Sequence, residues 1–281
     1  MGLISRFISA PISKFLDQQR APRTVPLSDF ERIRYELKPC DVLLIEGRSR
    51  VSDVVKAITQ SPWSHAALYI GRLHDIEDEA VREQLLAHID HPPSEQLIVE
   101  SQLGYGTVVR PLAVYEQDHV RICRPKGLTL PDGQAVIRYT VSRLGLPYDV
   151  RQIFDLFRFL VPWSLLPRRW RSSLFRTGAG EATRTVCSTL IAEAFGAVQF
   201  PILPLVQINE DDRVQLYRRN PKLFVPSDFD YSPYFEIIKY PFMDFSAHAS
   251  YRLLPWSDGM QAEPDAPGPV EGADSVDSSH G

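Results

Sequence analysis

The sequence predicts an α+β protein, and the spacing of its apolar residues is the basis for that class. Two short apolar segments bounded by turn residues, 65–71 and 97–101, are typical of strands. A third segment, which begins at Cys187, repeats its apolar residues at helical spacing. Residues 132–144 show helical spacing as well, and we expect that helix to support the sheet.

Cys187 lies at the predicted start of its helix. The apolar residues that follow it at helical spacing are Leu190, Ile191, Ala194 and Phe195. Unpaired N–H groups and the positive end of the helix dipole favour a thiolate over a thiol at such a position. An ordinary buried cysteine is the alternative for a lone thiol, so the neighbouring groups decide between the two interpretations.

Two further segments supply the groups that a reactive thiol needs. His65 begins the first apolar segment, and Glu100 ends the second. A nucleophile, a base that deprotonates it and a third group that orients the imidazole are the parts of a cysteine hydrolase. Cys187, His65 and Glu100 are therefore the candidate catalytic residues, in the chain order His, Glu, Cys.

Several local motifs stand in a fixed order between residues 37 and 204. They are Pro39-Cys40-Asp41-Val42-Leu43-Leu44 with the Gly47-Arg48-Ser49 stretch after it, Ser61-Pro62-Trp63-Ser64-His65, Ile98-Val99-Glu100-Ser101, Gly145-Leu146-Pro147-Tyr148-Asp149, and Val186-Cys187-Ser188-Thr189-Leu190-Ile191. In this order they resemble the circularly permuted branch of the NlpC-type papain-like hydrolases, especially the YiiX/YaeF-like group. A more distant resemblance is to the lecithin retinol acyltransferase-like proteins.

The resemblance implies a permuted papain-like fold. In it a small antiparallel sheet packs against helices, and a catalytic thiol at a helix N-terminus faces a histidine on the sheet. The bond attacked would be an amide or an ester. One departure is Cys40, where the family pattern has a glycine before the aspartate; we expect it to affect the turn and not the chemistry.

The chemistry that follows is acyl transfer through a thioester on Cys187. The oxyanion of the tetrahedral intermediate would be held by N–H groups at the helix start, near Ser188, and by the phenol of Tyr148. Trp63 is a further candidate for contact with substrate. The other histidines have spacings that suit no standard metal site, so no metal and no other cofactor is expected.

Composition fits a folded body over residues 28–256. The 281 residues are 44% hydrophobic and 23% charged, which allows a sizeable core. Cys40 and Cys123 are expected to be structural, without a disulfide framework. Because no apolar run is long enough to span a bilayer and no signal peptide is recognised, the expected location is cytoplasmic, with peripheral membrane association as an option.

The two ends of the chain differ from its middle. Residues 1–27 contain an apolar stripe that includes Phe7 and Phe15, which fits either an interfacial membrane helix or a helix docked on the protein itself. Residues 257–281 hold six acids and no Lys or Arg, which predicts a disordered tail. Without those six negative charges the net charge of −4 becomes +2.

A basic, aromatic insertion is predicted at residues 148–176. It contains Trp163 and Trp170 among other aromatic residues, together with six arginines. Such a segment fits a lid or a loop that dips into the headgroup layer of a membrane. The alternative is an insertion that packs its apolar residues inward. No nucleic-acid motif accompanies it, so no nucleic-acid partner is expected.

Two shorter segments are predicted from local signals. Ser28-Asp29-Phe30-Glu31 fits a capping box, so a short helix should lead into the strand after Asp41. Residues 235–240 have the composition of a late edge strand, to which the sequence assigns no role.

The sequence leaves the substrate open among three hypotheses. The first is a membrane-associated hydrolase or acyltransferase that acts on lipid-linked acyl groups. The second is a soluble amidase or peptidase for small peptide or acyl-lysine-like bonds. The third is a non-enzymatic lipid-binding protein with an idle thiol. The oligomeric state cannot be read from the sequence.

Overall fold

The computed structural model describes residues 18–21, 27–90, 92–102, 105–146, 186–208 and 213–241. Its helices are α1 (Phe30–Glu36), α2 (Arg50–Thr59), α3 (Glu79–Leu86), α4 (Leu130–Val141), α5 (Val186–Ala197) and α6 (Ser227–Tyr231). Its strands are β1 (Val42–Glu46), β2 (His65–Gly71), β3 (Leu97–Gln102), β4 (Gly106–Pro111), β5 (His119–Pro125), β6 (Leu205–Ile208), β7 (Val214–Tyr217) and β8 (Phe235–Ile238).

Six of the strands form one antiparallel sheet in the order β4-β3-β2-β1-β5-β8. The first four strands are neighbours both in the chain and in the sheet, β5 returns to the free side of β1, and β8 pairs outside β5. Strands β6 and β7 form a separate two-stranded hairpin. The predicted α+β class, with an antiparallel sheet packed against helices, is confirmed.

Both faces of the sheet are covered. Successive side chains of a strand point to opposite sides, and in β1 Val42 and Leu44 pack with residues of α4 and α5. Leu43 and Ile45 pack on the other side, with residues of α1. Since all four of these side chains are buried, β1 is apolar at every one of these positions and lies in the middle layer of the fold.

The two short predicted elements are both present, one of them with a different cap. The helix after Ser28 is α1, but its N-cap is Asp29, whose carboxylate accepts a hydrogen bond from the Arg32 N–H at 3.0 Å. A capping box would require Ser28 in that role. Instead, the Ser28 hydroxyl donates to the Val120 carbonyl, which ties the segment to β5. The predicted late edge strand is β8.

The backbone explains the departure noted at Cys40. This residue has a φ of +75°, in the left-handed region where glycine is favoured. Its thiol donates to the Gly133 carbonyl at 3.2 Å. Burial, followed by the charge of Asp41, raises the pKa of Cys40 to about 12. The thiol therefore stays protonated and has a structural role.

Several predicted segments lie outside the described residues. These are nearly all of segment 1–27, with Phe7 and Phe15; the insertion 148–176, with Tyr148, Trp163 and Trp170; and the tail 257–281. Among the helices that the structure describes, none has the length and apolar character needed to cross a membrane.

Candidate active site

His65 and Glu100 lie on neighbouring strands and face each other. His65 is the first residue of β2, and Glu100 lies in β3. By the alternation of each strand they share the face of Ala67 and Ile98, which pack in one cluster. The imidazole Nε2 and the Glu100 Oε2 are 2.8 Å apart. The sheet therefore fixes the imidazole against the carboxylate.

Cys187 lies on α5, in the helical layer that packs on the Val42 and Leu44 face of the sheet. It is the second residue of α5 and is 3% exposed. The helix packs against β2, β3 and α4, and the Cys187 thiol lies within interaction distance of the His65 side chain. Since Nε2 of His65 faces Glu100, Nδ1 is the nitrogen left for the sulfur. The structure thus brings the three predicted residues into contact.

The charges around His65 favour its protonated form. Burial is the largest influence and lowers the pKa of His65, but the negative charges of Cys187 and Glu100 and the hydrogen bonds to both outweigh it. Together they raise the pKa from 6.5 to about 10. At neutral pH the imidazole is therefore protonated, beside the ionised Glu100 carboxylate.

Glu100 is fully buried, and both of its oxygens are occupied. Oε2 accepts hydrogen bonds from His65 and from the Tyr115 hydroxyl. Oε1 accepts from Gln102 Nε2 at 2.9 Å and from Arg110 Nη1 at 3.2 Å. A buried carboxylate with this many donors is held in one orientation, because turning it would leave several of them without a partner.

These partners set the protonation state of the carboxyl. Burial raises the pKa of Glu100, but the charge of His65, the hydrogen bonds from His65 and Tyr115 and the charge of Arg110 more than offset it, so the pKa is lowered. Burial and the adjacent Glu100 raise the pKa of Tyr115 well above its usual value. Tyr115 is therefore always a donor here, and Glu100 always an acceptor.

Sequence reasoning missed both Tyr115 and Arg110. Tyr115 ends the short 3-10 turn Leu112–Tyr115, and no motif in that turn points to the site. Arg110 lies in β4, where a charged residue between Val109 and Pro111 is the one signal that was available. Their roles depend on β4 and the turn folding back beside β3, a placement that local patterns do not report.

A small polar cavity of about 150 Å³ opens beside His65. Its lining includes Ser49, Ser64, Ser101, Gln102 and Arg110. The hydroxyl and guanidinium groups suit a polar part of a bound molecule. The site therefore has room for a small substrate group next to the imidazole.

Two other predicted residues have structural contacts. The Ser188 hydroxyl is buried and donates to the Phe224 carbonyl at 2.6 Å, which anchors the first turn of α5. Trp63 is 1% exposed and donates from its indole N–H to Asp230 at 3.2 Å. The structure does not place the Trp63 ring with the three contacting side chains. Tyr148 lies outside the described residues.

The remaining thiols do not resemble Cys187. Cys40, Cys123 and Cys187 are all free and buried. Burial raises the pKa of Cys123, and nearby Asp230 raises it further. Within the ranges that the structure describes, no group of three or more His, Cys, Asp or Glu side chains is arranged to hold a metal ion.

Of the comparisons with known proteins, the one with solved structures found a match. No protein-family model matches the chain, and no curated protein matches it. Among solved structures, it is similar to the crystal structure of the metalloprotein YiiX from Escherichia coli O157:H7, with a TM-score of 0.42 and 15% sequence identity. The match covers 72% of this chain and 97% of the other.

Proposed function

We propose that the protein is a cysteine hydrolase or acyltransferase that cleaves an amide or ester bond through a thioester on Cys187. One observation carries the proposal: the His65 imidazole is hydrogen bonded to the buried Glu100 carboxylate and lies within interaction distance of the Cys187 thiol. That is the arrangement of nucleophile, base and orienting group that covalent acyl transfer needs.

The reaction starts from the ion pair. The thiolate of Cys187 attacks the carbonyl carbon, and the imidazolium of His65 donates its Nδ1 proton to the leaving amine or alcohol as the C–N or C–O bond breaks. The neutral imidazole then takes a proton from water, which attacks the thioester and releases the acid. A different nucleophile in place of water gives acyl transfer. Glu100 stays ionised and stabilises the imidazolium in both halves.

The oxyanion is assigned to backbone N–H groups. The first N–H groups of a helix have no partner within the helix, and Cys187 is the second residue of α5. The backbone N–H of Cys187 is therefore the donor that we assign, since it lies close to the sulfur. The Ser188 side chain is occupied by the Phe224 carbonyl, so it is not assigned to the oxyanion.

The proposed family and substrate class rest on motifs and segments of the sequence. We assign the chain to the permuted NlpC-type papain-like hydrolases because its His, Glu and Cys motifs stand in that family's order. A lipid-linked or other acyl substrate at a membrane surface is the preferred class, on the strength of the apolar and basic segments 1–27 and 148–176. A soluble amidase or peptidase is the alternative.

The proposal is tested by trapping the acyl-enzyme. The full chain is incubated with activated esters and amides of short and long acyl groups, and the intact mass is measured after acid quenching. We expect one acyl adduct on Cys187, its loss in Cys187→Ala, near loss in His65→Ala, and a reduced rate in Glu100→Gln. Cys123→Ala is the matched control and should acylate like the unmodified chain.

The alternatives give different results in the same assay. Acylation of the long-chain ester only in the presence of phospholipid vesicles supports a membrane substrate, whereas equal rates without vesicles support a soluble amidase. No adduct from any donor, with a folded protein, would leave a non-enzymatic lipid-binding protein as the better account.

A further inference from the structure

The hairpin β6–β7 exposes apolar side chains that nothing in the described structure covers. All eight of its strand residues are exposed. Six of them are large and apolar, with exposures from 42% to 66%: Leu205, Val206, Ile208, Val214, Leu216 and Tyr217. An isolated two-stranded hairpin is marginal in water unless something packs on it. An apolar patch of this kind marks an interaction surface.

The hairpin has two unlike faces. Directly opposed residues of antiparallel strands share a face, and the register pairs Val206 with Leu216 and Ile208 with Val214. These four apolar side chains form one face, which we call the arm face. Leu205 with Tyr217 and Gln207 with Gln215 form the other, so the second face is half polar.

An apolar groove lies at the base of the same hairpin. It has a volume of about 790 Å³. Its lining includes Ala192, Gly196, Phe200, Leu203, Leu216 and Phe224. Space remains at Gly196 of α5, where an added Cβ would meet no atom within 4 Å. One molecule thus carries both an apolar arm and an apolar groove.

We propose that a second copy of this chain occupies the groove, with the arm face of each copy packed into the groove of the other. A two-fold axis between the hairpins makes the two arms antiparallel, so the same surface serves on both molecules. The strand spacing puts Val214 about 10 Å from Tyr217. Leu216 and Tyr217 line the groove of their own copy. In the antiparallel arrangement Val214, at the far end of the arm, therefore extends away from that groove and towards the groove of the other copy.

The charges of the two parts are complementary. Arg213 lies at the far end of the arm and is exposed. Glu193 lines the groove and accepts a hydrogen bond from the Tyr139 hydroxyl at 3.1 Å. In the antiparallel arrangement the Arg213 guanidinium of one copy approaches the Glu193 carboxylate of the other. This pair fixes the orientation of the arm in the groove.

The test is the oligomeric state of the full chain, measured by sedimentation velocity over a range of concentrations. We expect a monomer–dimer equilibrium. Ile208→Lys, on the arm face, should shift the chain to monomer. Gln207→Lys is the matched control: it adds the same charge at the next residue, on the other face, and should leave the dimer intact. Gly196→Leu, which fills the groove, should also give monomer.

A charge exchange between Arg213 and Glu193 distinguishes the loss of this contact from a general loss of folding. Arg213→Glu and Glu193→Lys should each weaken the dimer at least several-fold, and the double variant should recover it. A monomer at every concentration would overturn the proposal. So would a monomer that sediments with phosphatidylcholine/phosphatidylserine vesicles and loses this property in Ile208→Lys, because the arm face would then belong to a membrane contact.

Discussion

At the scale of single residues, His65 balances the charges of the site. Burial lowers its pKa, but the interactions with Cys187 and Glu100 outweigh burial and raise the pKa to about 10. A group with a raised folded pKa stabilises the folded state fully below its unfolded pKa of 6.5. That contribution is lost as the pH rises through about 10. In the proposed reaction, the same positive charge would favour the thiolate of Cys187.

The stability contributed by Glu100 depends on pH in the opposite direction to that of His65. Its folded pKa is lowered from 4.5, so the stabilisation it provides is present above that value and is lost as the pH falls through the lowered pKa. Four side chains donate to its two oxygens. Removing one donor should therefore raise the folded pKa towards 4.5, so that less stability is lost on acidification.

Replacing Tyr115 with phenylalanine tests this network. The change removes a buried donor to an ionised carboxylate, a loss of about 1.5–3 kcal/mol. In urea unfolding followed from pH 7 downwards, Tyr115→Phe should be less stable at pH 7 and should lose less further stability on acidification, because the folded pKa of Glu100 then lies closer to 4.5. Tyr105→Phe, at a residue that is 69% exposed, is the control. Identical acid limbs in the two variants would exclude a role for the Tyr115 hydroxyl.

At the scale of elements, the start of α5 determines where the thiol lies. Ser188 donates to the Phe224 carbonyl, and α5 packs against β2 and β3. Cys187 is thus held against the sheet by a neighbour whose side chain takes no part in the proposed chemistry. A small displacement of this turn would separate the sulfur from the imidazole.

Ser188→Ala should show this effect. It leaves the buried Phe224 carbonyl without its donor, at a cost of about 1–3 kcal/mol in the free energy of unfolding. We also expect slower alkylation of Cys187. The control is Ser142→Ala, which removes an equivalent bond to a carbonyl, that of Tyr139, at an exposed position. If both variants unfold at the same urea concentration, the Ser188 bond contributes nothing.

Elements set by local spacing could be predicted from the sequence, whereas contacts between distant parts of the chain could not. The strands at His65 and Glu100 and the helix at Cys187 follow from local spacing, and the structure contains all three. The roles of Tyr115 and Arg110 depend on the path of the chain after β3, which local spacing does not encode. The same holds for the hairpin β6–β7, for which the sequence analysis predicts no element.

At the scale of the whole molecule, a buried polar cluster joins α6 to the sheet. Both Asp230 oxygens accept from Arg121 Nη1, at 2.7 and 2.6 Å. The Arg121 guanidinium also lies 4.6 Å from the centre of the Trp63 ring. Trp63 lies two residues before His65, so this cluster connects α6 to β5 and to the start of β2.

Asp230→Ala should destabilise the entire fold. It leaves the largely buried Arg121 charge uncompensated, which typically costs about 3–5 kcal/mol. Asp53→Ala is the control, since it breaks the bridge to Arg20, whose side chain is 75% exposed, and an exposed bridge contributes about 0–1 kcal/mol. Thermal unfolding of both variants provides the comparison. Equal melting temperatures would contradict the role given to the Asp230 cluster.

The most direct test of the central claim is the rate at which iodoacetamide alkylates Cys187 as a function of pH. Peptide mass spectrometry distinguishes this thiol from Cys40 and Cys123. We expect rapid alkylation at pH 6, well below the free-thiol pKa of about 8.5, and a loss of at least about tenfold in His65→Ala. The same slow rate at pH 6 in both proteins, rising only near the free-thiol pKa, would contradict an activated Cys187–His65 pair.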